Sequence, residues 1–209
     1  AHLSGDLDRA ERYLRDALAS LEELGADDRS AMATTMLAEV ALDRGDAEAA
    51  ARLIERTESL IGDHAGRKRV ASLDRLRGLL ALDRGDTEAA EAALRDAIDA
   101  AQAAGFALVE AKSRAAFGAV AVERGDAEAA AERLTAALDL GYRIESAEVI
   151  ASTAGRLADA LADGDGGRLD REALVAALRE SAPEAVGSER ATDPAAYRRL
   201  AERWRVDGE

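Results

Sequence analysis

The sequence predicts an all-α protein, an α-solenoid of antiparallel helix pairs with about ten helices. Three observations predict it. Ala supplies 52 of the 209 residues against only 2 Pro, and Ala, Leu, Glu and Arg are strong helix formers. Gly-Asp recurs at Gly5-Asp6, Gly45-Asp46, Gly85-Asp86 and Gly125-Asp126, a fixed 40-residue step. Between these turns the apolar side chains fall three or four apart, the spacing of one helix face.

The text around each turn repeats as well. Ala41 to Asp46 matches Ala81 to Asp86 residue for residue, and Arg44 to Ala51 is identical to Arg124 to Ala131. A damaged fifth copy stands at Gly164-Asp165, where Ala173 comes nine residues after the Gly instead of five. The helix over 28–44 carries Met36, Leu37, Val40, Ala41 and Leu42. Gly45 ends it, because Gly tolerates the left-handed backbone that closes a helix. Asp46 caps the next helix, and Glu48 adds charge that suits its first turn. That helix shows Ala50, Ile54, Thr57 and Ile61, matched by Ala90, Leu94, Ala97 and Ala101, then by Ala130, Leu134, Ala137 and Gly141. Short connections make such helices antiparallel neighbours. Helices are expected at 7–24, 28–44, 47–61, 66–84, 87–104, 106–124, 127–140, 143–162, 169–180 and 194–205. Residues 181–193, with Pro183, Gly187 and Ser188, read as a loop. The chain thus divides into repeats over 1–180 and, over 181–209, a loop with a helix whose Tyr197, Leu200 and Trp204 would cap the last open face. No comparable cap precedes the first turn, so a further upstream segment or another chain is expected to cover that end.

The unit resembles a tetratricopeptide repeat. Its small residue inside the first helix corresponds to Ala38, Gly78 and Gly118. Its Ala early in the second helix corresponds to Ala10, Ala50, Ala90 and Ala130, and its later Ala to Ala17, Ala97 and Ala137, with Thr57 as the exception. The family's first-helix aromatic is missing, replaced by Thr34, Asp74 and Arg114, and so is its closing Pro. The period is also longer than the family's usual ~34 residues. This long form resembles the helical repeats of large bacterial regulators. The resemblance implies a right-handed superhelix whose first helices line a concave groove. By that implication Met32, Thr35, Glu39, Ser72, Arg75, Leu79, Lys112, Ala115 and Ala119 would face a ligand.

Composition and motifs narrow the chemistry. With no Cys there is no disulfide scaffold, thiol nucleophile or cysteine zinc site. A net charge of -14 argues against duplex nucleic acid or an anionic membrane as partner. No apolar run approaches the ~20 residues that span a bilayer, and no export signal opens the chain, so a cytoplasmic location is expected. Three Arg-Gly-Asp triplets, at 44–46, 84–86 and 124–126, resemble adhesion ligands, but each ends one helix and caps the next. The stretch Asp163 to Glu172 resembles a calcium loop. With Glu172 twelfth, however, the first position is Leu161, which has no ligand oxygen, so no metal is expected. No Gly-rich phosphate loop and no nucleophile motif appear, so neither a cofactor nor a catalytic residue is expected.

The densest basic cluster is Arg67, Lys68, Arg69, Arg75 and Arg77, beside His64. It would hold an acidic peptide, phosphate or nucleotide unless it pairs with acids such as Asp63, Asp74 and Asp83. The chain is expected to be a non-enzymatic module binding a protein or peptide, a basic one by charge, within a bacterial or archaeal regulatory or signalling protein. The alternatives are a small-molecule sensor using that cluster and self-association through the open N-terminal end.

Overall fold

The computed structural model describes residues 2–61, 66–162, 169–183, 186, 187 and 190–204, with side chains from Leu7 onward. Among them it is all-α: α1 His2–Glu23, α2 Asp27–Asp43, α3 Ala47–Ile61, α4 Arg67–Asp83, α5 Thr87–Ala103, α6 Ala107–Arg124, α7 Ala127–Arg143, α8 Ala147–Ala162, α9 Arg171–Glu180 and α10 Pro194–Trp204. Helices pack in adjacent pairs, the construction of a helical solenoid. The chain divides into two compact units, Ala1–Ala104 and Gly105–Glu209.

The turns explain the pairing. At Gly45 the backbone is left-handed, with φ 71°. The Asp46 N–H reaches back to the Ala41 carbonyl at 2.9 Å, and the Gly45 N–H to Leu42 at 2.9 Å, closing the helix in a Schellman motif. The Asp46 carboxylate then accepts from the Ala49 N–H at 2.9 Å and starts α3. Asp86 and Asp126 cap α5 and α7 in the same way. The same closure also recurs halfway between the Gly-Asp pairs, where the repeat pattern gave no expectation of it. Left-handed residues stand at Gly25, Gly45, Gly85, Gly105, Gly125 and Glu145, so these turns, between α1 and α8, fall on a 20-residue grid, which Gly187 (φ 75°) does not follow. Ser146 N–H bonds the Gly141 carbonyl at 2.9 Å around Glu145, as Asp46 does with Ala41 around Gly45.

In the first unit α2 packs on α1, α3 and α4, and α4 on α3 and α5. Two expectations are corrected here. Gly5-Asp6 makes no turn: α1 runs through it. One Gly costs a helix only about 1 kcal/mol, so α1 continues through Gly5. Released from the repeat register, α1 rotates by about a residue, so that Ala17 is exposed and Leu18 is buried instead, with Leu14 and Leu21 against Ala33 and Leu37. Met36 of the apolar pattern in α2 is exposed.

In the second unit α6 packs on α7, and α8 packs on α6, α7, α9 and α10. Leu134, Leu138, Ile150, Leu157, Leu161, Leu174, Leu178, Tyr197 and Leu200 join in one apolar cluster. The expected end of α7 at 140 is corrected to Arg143, because the left-handed break comes at Glu145. Gly141 stays inside α7, where a Cβ would lie 2.9 Å from Val149 Cγ1. The Gly164-Asp165 turn and most of the calcium-like loop lie outside the described residues, as does His64. The fifth copy's register is corrected, however. Asp170 caps α9, accepting from Glu172 and Ala173 N–H at 2.9 and 3.2 Å. Ala173 is exposed, and Leu174 takes the buried place of Ala50. The C-terminal helix packs on α8 of its own unit. Tyr197 is fully buried, its hydroxyl donates to the Ala191 carbonyl at 3.0 Å, and Trp204 meets Tyr142 edge-on at 5.7 Å.

The small residues bring helices together as their spacing suggests. A Cβ on Gly78 would lie 2.5 Å from Leu94 Cγ, and one on Gly118 2.6 Å from Leu134 Cγ. No methyl group fits at either crossing without displacing a buried Leu.

Candidate functional site

The expected groove residues fall in both units, and each set is described by itself. In the first unit Met32 is exposed; Thr35, Glu39, Ser72 and Leu79 are partly buried; Arg67 and Lys68 are exposed and Arg69 partly so; and Arg75 is buried. Thr35 turns its hydroxyl back to the Ala31 carbonyl at 2.8 Å, and Ser72 bonds the Lys68 carbonyl at 3.1 Å. In the second unit Lys112 is partly buried, while Ala115 and Ala119 are buried on α6 and present no open side chain.

The basic cluster is largely neutralised by the fold. Arg69 pairs with Asp28 of α2 at 2.6 Å. Arg77 pairs with Glu58 of α3 and Asp74 of its own helix, both at 2.7 Å. Burial works to lower the Arg77 pKa, but its hydrogen bonds to the two carboxylates outweigh this and hold it above its ordinary value. Arg75, only 5% exposed, pairs with Glu39. Two of the expected ligand contacts therefore satisfy one another. The acids that do this come from α2, α3 and α4 itself, and of the three suggested by the sequence only Asp74 is among them. Asp63 lies outside the described residues.

A spacing rule underlies several of these pairs. Glu39–Arg75 and Lys112–Glu148 are each 36 residues apart. That is one repeat less one helical turn. It sets the first helices of successive repeats, α2 with α4 and α6 with α8, side by side and a turn out of step.

What remains open on the first unit is apolar. Tyr13, Leu24, Met32 and Met36 are 69%, 78%, 63% and 47% exposed, all on α1, α2 and the turn joining them. Met32 and Met36 are four apart on α2 and so share a face. The same spacing could have placed both on the open side from the sequence alone, where only Met32 was expected there. Exposed charges of both signs lie on the same helices, Asp16, Glu23 and Asp27 with Arg12 and Arg29. Among the described residues no group of three or more acids and histidines is placed to hold a metal ion, and no helix is long and apolar enough to cross a membrane.

Compared with known protein families and with curated proteins, the chain matches none.

Proposed function

We propose that the chain is a non-enzymatic helical-repeat module, tetratricopeptide-like in its helix pairs, that binds a protein or peptide through the outer face of α1 and α2. The observation that carries this reading is the concentration of exposed apolar side chains there. Four of the five large hydrophobic side chains exposed among the described residues lie on this one end. Exposed Met and Tyr are enriched at interfaces, and the pliant Met side chain adapts to partners of different shape. The net charge of -14 favours a basic partner and faster encounter at low salt.

This placement replaces the Arg67–Arg77 cluster, whose Arg69, Arg75 and Arg77 already face carboxylates. Met32→Asp with Met36→Asp tests it. Both side chains are exposed, so the helical circular dichroism should be retained. Affinity for a partner recovered by pull-down should fall roughly a hundredfold, as for the loss of two interface anchors. Unchanged affinity would overturn the placement. Light scattering across a concentration series separates a foreign partner from a second copy: concentration-dependent dimers abolished by the same two substitutions would replace the foreign partner with self-association.

A further inference from the structure

A cavity of about 250 Å³ opens beside α10, lined among the described residues by Val186, Arg190, Ala196, Arg199, Leu200 and Arg203. The last four lie three and four apart, so α10 presents them on one face. Three arginines thus line one cavity in a chain whose net charge is -14. Their surroundings differ from those of the arginines in the first unit. Arg199 Nη2 lies 3.3 Å from Asp193 Oδ2, and Arg203 Nη2 donates to the Tyr142 hydroxyl at 3.3 Å, a neutral acceptor. Arg190 has no acid partner among the described residues. Among the described residues one carboxylate therefore pairs with the three cations, whereas Arg44 and Arg77 each hold two carboxylates. Like charges at i and i+4 repel, so Arg199 and Arg203 add a surplus of positive charge that an anion would relieve.

We propose that this cavity binds a small phosphate-bearing molecule. Guanidinium forks match phosphate oxygens in two-point hydrogen bonds. A phosphate monoester offers three acceptor oxygens and nearly two charges to the three arginines, where a carboxylate offers two oxygens and one charge. Val186, Ala196 and Leu200 supply apolar wall for the organic part of the ligand. The volume lies below the roughly 300–1,000 Å³ of drug-sized sites and suits a compact metabolite. Tyr142 couples the site to a reporter, because it holds Arg203 through its hydroxyl and packs against Trp204, the one Trp of the chain.

Phenyl phosphate titrated into the full chain, with Trp fluorescence and calorimetry as readouts, tests the proposal. Saturable binding is expected. Arg190→Gln, Arg199→Gln and Arg203→Gln should each weaken it roughly tenfold, the loss of one charge-assisted hydrogen bond. Arg77→Gln, in the first unit, should leave it unchanged. Phenylacetate, the same ring on a carboxylate, should bind more weakly than phenyl phosphate. The proposal is overturned if neither readout detects saturable binding, if the three arginine variants bind as the parent does, or if phenylacetate binds equally well.

Discussion

The two units reach stability by different means. In Ala1–Ala104 the buried side chains fall into small groups: Leu18, Ala33 and Leu37 in one, and Ala38, Ala41, Ala50, Ile54, Leu73, Leu76 and Leu80 in another. Ion pairs link the helices around them: Arg44 to Asp8 and Glu11, Arg56 to Glu22, Arg69 to Asp28, Arg75 to Glu39 and Arg77 to Glu58. In Gly105–Glu209 a large apolar cluster runs through α6, α7, α8, α9 and α10, beside a smaller one of Ala111, Leu140 and Val149 and the Lys112–Glu148 pair. Both units use the same turn and the same Gly-on-Leu crossing, so the repeat itself is not the source of the difference. The source is the pair of C-terminal helices that only the second unit carries. Ala-rich helix pairs bury little area each, and charges supply much of the contact between successive pairs. Where α9 and α10 fold back, Tyr197, Leu174, Leu178 and Leu200 join the larger of that unit's clusters.

The largest expected effect is in that core. Leu157→Ala should cost about 4 kcal/mol in urea unfolding, because Leu157 is fully buried among large neighbours that cannot collapse onto the hole. Leu37→Ala in the smaller first-unit group should cost closer to about 2 kcal/mol. Equal losses would erase the contrast between the units. Alkaline titration probes the same core. Burial first, and then the charge of Asp139, push the Tyr197 phenol well above its ordinary 10.0. The unfolded chain ionises this group near pH 10 while the folded one keeps its proton. Its contribution is therefore complete below that pH and is lost as pH rises above it. Tyr197→Phe should flatten that part of the stability profile.

The ion pair on α2 and α4 gives an asymmetric prediction. Glu39→Ala should cost about 3 kcal/mol, because it leaves Arg75 charged and buried. Arg75→Met should cost less than about 1 kcal/mol, since Glu39 is 31% exposed and keeps water contact. The reverse order would show that Glu39, not Arg75, is the buried member. At the crossings, Gly118→Ala should lower stability by about 1 kcal/mol, the clash with Leu134 outweighing the better helix propensity of Ala. The smallest effect is a gain. Glu145 holds φ 53°, the one left-handed non-Gly residue among those described, and Glu145→Gly should stabilise the second unit by about 1 kcal/mol.

Much of this architecture is legible in the sequence. Gly-Asp marks a closure and a cap in one dipeptide, so helices α3 to α6 fall within a residue of where they are expected. The facing of Gly78 and Gly118 onto Leu94 and Leu134 agrees with the 40-residue alignment. The intermediate turns at Gly25 and Gly105 carry no such mark, since Ala26 and Phe106 have no side-chain oxygen to cap with; the one at Glu145 lacks the Gly, though Ser146 Oγ accepts from the Val149 N–H at 3.4 Å. The fate of the basic cluster is not legible either. Which acid meets Arg75 depends on α2 and α4 stacking one turn out of step, a tertiary fact that neighbours in sequence do not encode. For the same reason the arginines of α10 read as ordinary surface charges until Val186 and Arg190 are set opposite them.

The contrast between a charge-linked and an apolar unit is most directly tested by hydrogen exchange read by mass spectrometry, on the full chain at low and at high salt. Screening weakens exposed ion pairs and leaves apolar burial intact or strengthened. Amides of α2 and α4 should lose protection at high salt while those of α7 and α8 keep theirs. Equal loss in both units, or greater loss in α7 and α8, would contradict the account.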